Sequence, residues 1–260
     1  MKRTYPLVSI IMNVCNGEKF LNESLKSIFD QTYKNWELIV WDNCSTDKTK
    51  KIVKSYSDRR VKYFFSKKYS KLYKARNLAL RKASGQYACF LDSDDKWDKR
   101  FIVSHLKRIN QYDCDVVYSK YLVKNEKKNS VYLNEKKTLP SGSITQDLLN
   151  KYNIGIVAIM FKKKLFNKYK FDSNYQIIGD FDYFIKLSMK YKFCSLNYPL
   201  ATYRFHGSNF TNKNYKIYLK ELNMWLIKNN KMFLKRKYNL NNLKYFIFKV
   251  RLKYYLSKFF

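Results

Sequence analysis

The stretch that decides the fold is Gly85 to Asp95, GQYACFLDSDD. Tyr87 to Leu91 is a short apolar run bounded by Gly85 on one side and acids on the other, the pattern of a strand buried on both faces. Three carboxylates follow within four residues: Asp92, Asp94 and Asp95. At the end of a buried strand they repel one another with little water to screen them, so a cation should offset them. A divalent ion with oxygen ligands, magnesium or manganese bridging carboxylates to substrate phosphates, meets that need. Taken alone, a DxDD cluster fits a solvated acidic turn equally well, and the surrounding chain has to decide.

Working outward, Leu7 to Met12 reads as a buried strand, and Leu21, Leu25, Ile28 and Phe29 recur at helical spacing. Trp36 to Trp41 reads as a second strand closed by Asp42 and Asn43. Ser45, Thr46 and Asp47 supply capping groups for a helix carrying Ile52, Val53 and Tyr56. Val61 to Phe65 is a third strand, and Ala75, Leu78, Ala79 and Ala83 mark a helix stopped by Gly85. This alternation predicts an α/β fold, a mostly parallel sheet with helices on both faces. Ligands of such sheets bind outside the carboxyl ends of the strands. Asn13 to Asn16, Asp42-Asn43 and Asp92 to Asp95 therefore converge on one rim, which turns the acidic cluster from a turn into a site.

Downstream, Asp98 is placed to cap a helix through Ile102, Leu106 and Ile109, and Asp115 to Ser119 reads as a strand. Lys120 to Pro140 reads as a hairpin or mobile loop, Ile154 to Phe161 as a strand, Phe181 to Lys190 as a helix, and Leu200 to Phe205 as a last short strand. From residue 213 the composition changes to 13 Lys and Arg against one acid, Glu221, interleaved with aromatics. A boundary near 212 separates a domain from a basic helical tail, 213–260. The tail's wheel is mixed: Lys244, Arg251 and Lys258 share a stripe, while Lys249 and Lys253 fall elsewhere. It is too charged to span a bilayer but suited to an anionic membrane surface.

With 260 residues, 46% hydrophobic, the chain has material for one large domain with an appendage, and global disorder is excluded. The net charge of +33 implies anionic partners. A nucleic-acid-binding protein is one alternative, set back by the absence of any recognised binding motif, so no nucleic acid is expected. Cys15, Cys44, Cys89, Cys114 and Cys194 are odd in number and lack CxxC spacing, so free buried thiols in a reducing cytosol are expected. Met1-Lys2-Arg3 and the short apolar run after it lack a cleavage site, and the expected location is the cytoplasm.

VSIIMNVCNGEKFLNESLKSIFDQTYKNWELIVWDNCSTDKT, KARNLALRKASGQYACFLDSDD, IGDFDYFIKL and YRFHGSN together resemble the family-2 inverting glycosyltransferases of GT-A (Rossmann-like) fold, over roughly residues 5 to 210. The resemblance implies a nucleotide-sugar donor, a divalent metal cofactor, and a glycan or lipid-linked acceptor in cell-surface polysaccharide synthesis. It divides the domain 1–212 into a nucleotide-sugar-binding half, 1–95, and an acceptor half, 96–212. It assigns Asp94, Asp95 and His206 to the metal and phosphates. Asp92, Asp42 and Asn43, with Asn13 and Cys15, go to the base and ribose, and Arg76 to the diphosphate or to bracing the aspartates. Asp180 is the base that takes the acceptor's proton, with Asp182 its neighbouring candidate. A QxxRW-type motif is absent, which favours single addition. The sequence departs from the family where Asn13 and Cys15 replace a proline and a base-stacking ring, where Asn43 replaces a second aspartate, and where Gly179 replaces a glutamate. These departures leave a UDP-linked donor as the expectation and an inactive scaffold as a further alternative. Docking on the inner face of the cell membrane through the tail completes the reading.

Overall fold

The computed structural model describes residues 5–207 and 209–256; Met1-Lys2-Arg3, Ser208 and Lys258 lie outside the described residues. Strands and helices alternate as the apolar periodicity predicts: β1 (Val8–Val14), α1 (Leu21–Phe29), β2 (Trp36–Asp42), α2 (Thr49–Ser55), β3 (Val61–Phe65), α3 (Leu72–Lys82) and β4 (Tyr87–Phe90). Then follow β5 (Lys96–Trp97), α4 (Phe101–Tyr112), β6 (Val116–Asn125), β7 (Ser130–Leu133), α5 (Thr145–Asn150), β8 (Ile159–Lys162), α6 (Lys164–Lys168), α7 (Gly179–Ser188) and β9 (Phe193–Phe205). The chain closes with α8 (Phe210–Lys213), α9 (Tyr215–Lys235) and α10 (Asn241–Leu256).

One sheet runs β3-β2-β1-β4-β8-β6-β9-β5, with β7 paired to β6. β1 to β4 are all parallel, as expected of βαβ units. From β8 onward the sheet is mixed, because β8 runs antiparallel to both β4 and β6 while β6 and β9 are parallel. Alternation along the strands sorts side chains to two faces. Val8, Ile10 and Met12 meet Leu25 of α1 and Phe101 of α4. Ile11 joins Ala79 of α3, Phe184 of α7 and the tail helices on the other. Gly85 is required where the chain enters β4, since a Cβ there would lie 2.6 Å from the carbonyl oxygen of Leu7. Beside it, buried Glu37 accepts hydrogen bonds from Ser9 and from the Ser84 backbone, both at 2.6 Å, and pairs with Lys62.

Three expectations need correction, and one alternative is decided. Ile154 to Phe161 is not one strand: Ile156–Ala158 is a 3-10 turn and only Ile159–Lys162 pairs. Side chains engage those carbonyls instead, Trp97 Nε1 donating to Val157 O and a ring nitrogen of His105 lying against Ala158 O. Residues 120–133 are the hairpin of the two readings, with β6 continuing to Asn125 and pairing with β7. The last strand has 13 residues rather than six, because it continues through Pro199, which falls at a register shift opposite Lys120. Finally, Cys114 and Cys194 are not free thiols but a disulfide with Cα atoms 6.0 Å apart. They are 80 residues apart in sequence, and only the pairing of β6 with β9 brings them together.

The tail is a helical pair packed on the sheet's helix layer. Leu222, Trp225 and Phe233 of α9 and the stripe Leu243, Ile247, Val250 of α10 share one core with Tyr73, Phe161 and Tyr183. Residue 212 falls inside α8. Ile227, Tyr245, Phe248, Leu252 and Tyr255 face outward.

Candidate active site

The carboxyl ends of β1, β2 and β4 line up along one rim, as parallel register dictates. A cleft of about 290 Å³ opens there, bordered by Asn13, Cys15, Asn43, Lys71 and the rings of Tyr69 and Phe210. Cys15 lacks a ring, but Tyr69 and Phe210 bring aromatic faces to the same cleft from sequence-distant segments. Both polar atoms of the Asn13 amide are buried without a hydrogen-bond partner among the described residues. An amide left this way costs free energy unless a ligand satisfies it. Asn43 instead holds the cleft's edge: its Nδ2 donates to Ser70 O at 2.7 Å, and its Oδ1 accepts from Ser70 N. Asp42 is fully buried, accepting from the Tyr63 hydroxyl at 2.5 Å and from Ser45 N at 2.8 Å. It shapes the rim from behind.

The three aspartates after β4 have three different surroundings. Asp92 pairs with Arg76 at 3.0 Å. Arg76 is itself only 2% exposed, so it is a brace inside the site and not a surface helix residue. Asp94 carries its carboxylate against His206, with Oδ2 and Nε2 2.9 Å apart, and both side chains keep some exposure. Burial, then the charge of Asp92, raise the Asp94 carboxyl. Asp95 is turned into the protein: Oδ1 accepts the Arg204 backbone N–H at 2.7 Å, while Oδ2 has no partner among the described residues. Burial, then the charges of Asp94 and Asp92, push its carboxyl well up. Arg204 also bonds Glu23 at 2.7 Å and Glu126, tying the closing motif to α1.

Among the described residues no three His, Cys, Asp or Glu side chains converge into a ready-made metal cage. The Asp94–His206 pair nonetheless suits a divalent ion. Its 2.9 Å separation matches neighbouring ligands on an octahedral ion with bonds of about 2.1 Å, and such ions take their remaining ligands from phosphates and water.

Asp180 stands in the first turn of α7, where the helix N-terminus favours negative charge. Its Oδ1 accepts from the Tyr73 hydroxyl at 3.0 Å and from Phe181 N at 2.9 Å. Burial raises its carboxyl above the ordinary range, opposed by the charge of Arg76 and by the Phe181 and Tyr73 hydrogen bonds. Such a carboxyl holds a proton more readily than a free aspartate does. The unexpected Gly179 has a local cause, since a Cβ there would meet the Tyr73 ring at 2.5 Å. Asp182, the neighbouring candidate, is buried in pairing with Lys186 at 2.6 Å and Trp225 Nε1 at 3.0 Å. His105 is a core residue, held to about 4 by burial, with ring nitrogens on Phe101 O and Ala158 O.

Sequence reading missed Tyr73, although its spacing of three before Arg76 places both on one helix face. It also missed Glu221. The carboxylate of this acid accepts from the backbone N–H groups of Gln176, Ile177 and Ile178 at 2.6, 3.0 and 3.1 Å. The tail helix thereby holds the segment that delivers Asp180.

Comparisons with known proteins bear on the family and the fold. Residues 9–174 match Glycosyl transferase family 2. The chain is 28% identical over 214 residues to the putative teichuronic acid biosynthesis glycosyltransferase TuaG of Bacillus subtilis, spanning 81% of this chain and 84% of that one. It is 33% identical over 183 residues to the UDP-Glc:alpha-D-GlcNAc-diphosphoundecaprenol beta-1,3-glucosyltransferase WfgD of Escherichia coli, spanning 70% and 69%. S. aureus TarS 1-349 in complex with UDP-GlcNAc shares the fold with a TM-score of 0.66 at 21% identity, over 84% of this chain. The chain spans 66% of that structure's length. The mannosyltransferase PcManGT from Pyrobaculum calidifontis, in complex with GDP-Man and Mn2+, shares it with a TM-score of 0.63 at 17% identity, over 85% of this chain and 63% of that one.

Proposed function

The chain belongs to glycosyl transferase family 2, and from that premise we propose that it is an inverting glycosyltransferase. Its donor is a nucleoside-diphosphate sugar, UDP-linked, and its acceptor a glycan or lipid-linked hydroxyl in cell-surface polysaccharide synthesis. The observation that carries the reading is the continuity of the rim: the ring-bordered cleft with the unsatisfied Asn13 amide, then Asp92 to Asp95, then Asp180 across α3. The named activities of the B. subtilis and E. coli relatives and the UDP-GlcNAc bound to TarS support the donor and acceptor classes.

In this reading the uracil enters between Tyr69 and Phe210, and the Asn13 amide offers its donor and acceptor to the base. Arg76 holds Asp92 in place beside the ribose. Asp94 and His206 would hold a divalent ion, which when bound would offset the negative charge of the leaving diphosphate. Asp180 takes the acceptor hydroxyl's proton as that oxygen attacks the anomeric carbon from the face opposite the diphosphate. Asp95 supports the loop through Arg204. The basic tail docks on anionic lipid on the cytoplasmic side of the membrane, bringing the rim to lipid-linked acceptors. Among the described residues no helix is long and apolar enough to cross a membrane.

A panel of UDP-, GDP- and CDP-sugars, followed by thermal shift and by sugar-nucleotide hydrolysis with manganese or magnesium, tests the proposal. A UDP-sugar should stabilise the protein and be turned over only with metal. Failure of every nucleotide to bind, or salt-sensitive RNA binding in its place, would overturn it.

A further inference from the structure

Asp180 also forms part of the wall of a second cavity, of about 420 Å³, whose Ile177 and Thr211 directly follow Gln176 and Phe210 of the donor cleft. Its walls come from α5, α7, α9 and α10. Leu148, Leu222 and Leu243 supply aliphatic surface, and Phe181, Tyr218 and Tyr152 supply rings. Polar groups are few. Besides the Asp180 carboxylate, the Tyr152 hydroxyl is buried with no hydrogen-bond partner among the described residues. That orphaned hydroxyl and the carboxylate call for a hydroxylated ligand, whereas the remaining surface calls for an apolar one.

The cavity's outlet narrows the choice. Phe246 lines it and is also 43% exposed on α10. It thus joins the cavity to the outward Tyr245, Phe248, Leu252 and Tyr255, among which Lys244, Lys249 and Lys253 are interspersed. An apolar interior that opens onto an exposed aromatic and lysine-rich helix suits a molecule with one end in that surface and the other at Asp180.

We propose that this cavity is the acceptor site and that it takes an amphipathic acceptor. The hydroxylated ring meets Asp180 and Tyr152, and the apolar chain leaves along Leu222 and Leu243 past Phe246. The tail helices then form half of the acceptor site rather than a separate anchor. The proposal rests on Asp180 being the base.

The test uses n-propyl and n-octyl β-D-glucopyranoside as probes, titrated calorimetrically into the full chain below the octyl compound's micelle concentration. Titration with UDP runs in parallel. Each buried methylene multiplies binding by about fourfold, so a few of them should make the octyl probe at least tenfold tighter than the propyl one. Phe246→Ala and Leu243→Gln should cut that gap to about threefold or less without changing UDP affinity. Tyr152→Phe should weaken both probes alike, leaving the gap intact. Phe246→Ala, at the exposed mouth, decides the matter where Leu243→Gln fails to fold. Equal affinity for the two probes, absence of octyl binding, or a gap that survives Phe246→Ala would overturn the cavity assignment. Failure of the wild type to bind UDP would instead overturn the donor reading.

Discussion

Glu221 is the single acid in a tail of 13 basic residues, and replacing it tests whether the tail is part of the catalytic unit. In Glu221→Ala three backbone N–H groups, of Gln176, Ile177 and Ile178, lose their acceptor. The Ile178 group is buried and bears the full cost of an unsatisfied donor, about 1–3 kcal/mol. The other two are partly exposed and regain water, so each loses only the net worth of its bond, about 1 kcal/mol. The sum is roughly 3–5 kcal/mol, a large share of a domain's about 5–15 kcal/mol. At about 2–4 °C per kcal/mol for a chain this size, the melting midpoint should fall by roughly 10 °C. Glu221→Gln keeps one acceptor oxygen and should recover about half the loss. Urea unfolding measures the energy, and sugar transfer at a temperature where the variant stays folded measures the consequence for Asp180. Turnover should fall more than UDP affinity does, because the segment before α7 delivers Asp180 and only its Gln176 borders the donor cleft. A Glu221→Ala protein with stability within about 0.5 kcal/mol of wild type would refute this reasoning, as would loss of UDP affinity in step with turnover.

Asp180→Asn removes the proton acceptor and should cut transfer by about 10²–10⁴-fold while sparing donor binding; a collapse of donor binding would give Asp180 a different role. Asp94→Asn should abolish metal-dependent turnover with an unchanged melting curve, and wild-type rates in manganese would contradict the ligand assignment. Glu37 lies at about 2: burial pushes it up, but hydrogen bonds from Lys62, Ser9 and Ser84 outweigh that. Its depressed value contributes stability above the unfolded value of 4.5, and that contribution is lost as pH falls toward 2. Acid unfolding should therefore show about 2–3 kcal/mol lost in that window, and Glu37→Gln should flatten it; identical acid profiles would count against the network. The protein should pellet with anionic vesicles at low salt, and the triple variant Lys244→Glu, Lys249→Glu, Lys253→Glu should lose more than about 100-fold in binding. Undiminished pelleting of that variant would exclude docking by α10. Truncating the tail is a poorer test, since it uncovers Leu222, Trp225 and Phe233.

The local patterns of the first 95 residues determine their fold without help from the rest. Apolar runs of strand length, helical spacings between them and Gly85 before β4 are local properties, and parallel βαβ connection follows from handedness. The same alternation brings Asn13, Asp42, Asn43 and Asp92 to Asp95 to one rim, because parallel strands end on the same side. What each aspartate does once there was decided in three dimensions. Asp94 faces His206 and Asp95 faces the backbone of Arg204 only because β5 and β9 pair, more than a hundred residues later in the chain. The Cys114–Cys194 bond, the long passage of β9 through Pro199, and the break of Ile154 to Phe161 into a turn have the same origin in the mixed half of the sheet. The tail shows the division most clearly. Its charge and aromatic content are plain in the sequence, yet the inward stripe and the single acid beneath α7 depend on which helix face meets the core. That choice is made by packing against Tyr73, Phe181 and Tyr183, which no local pattern encodes.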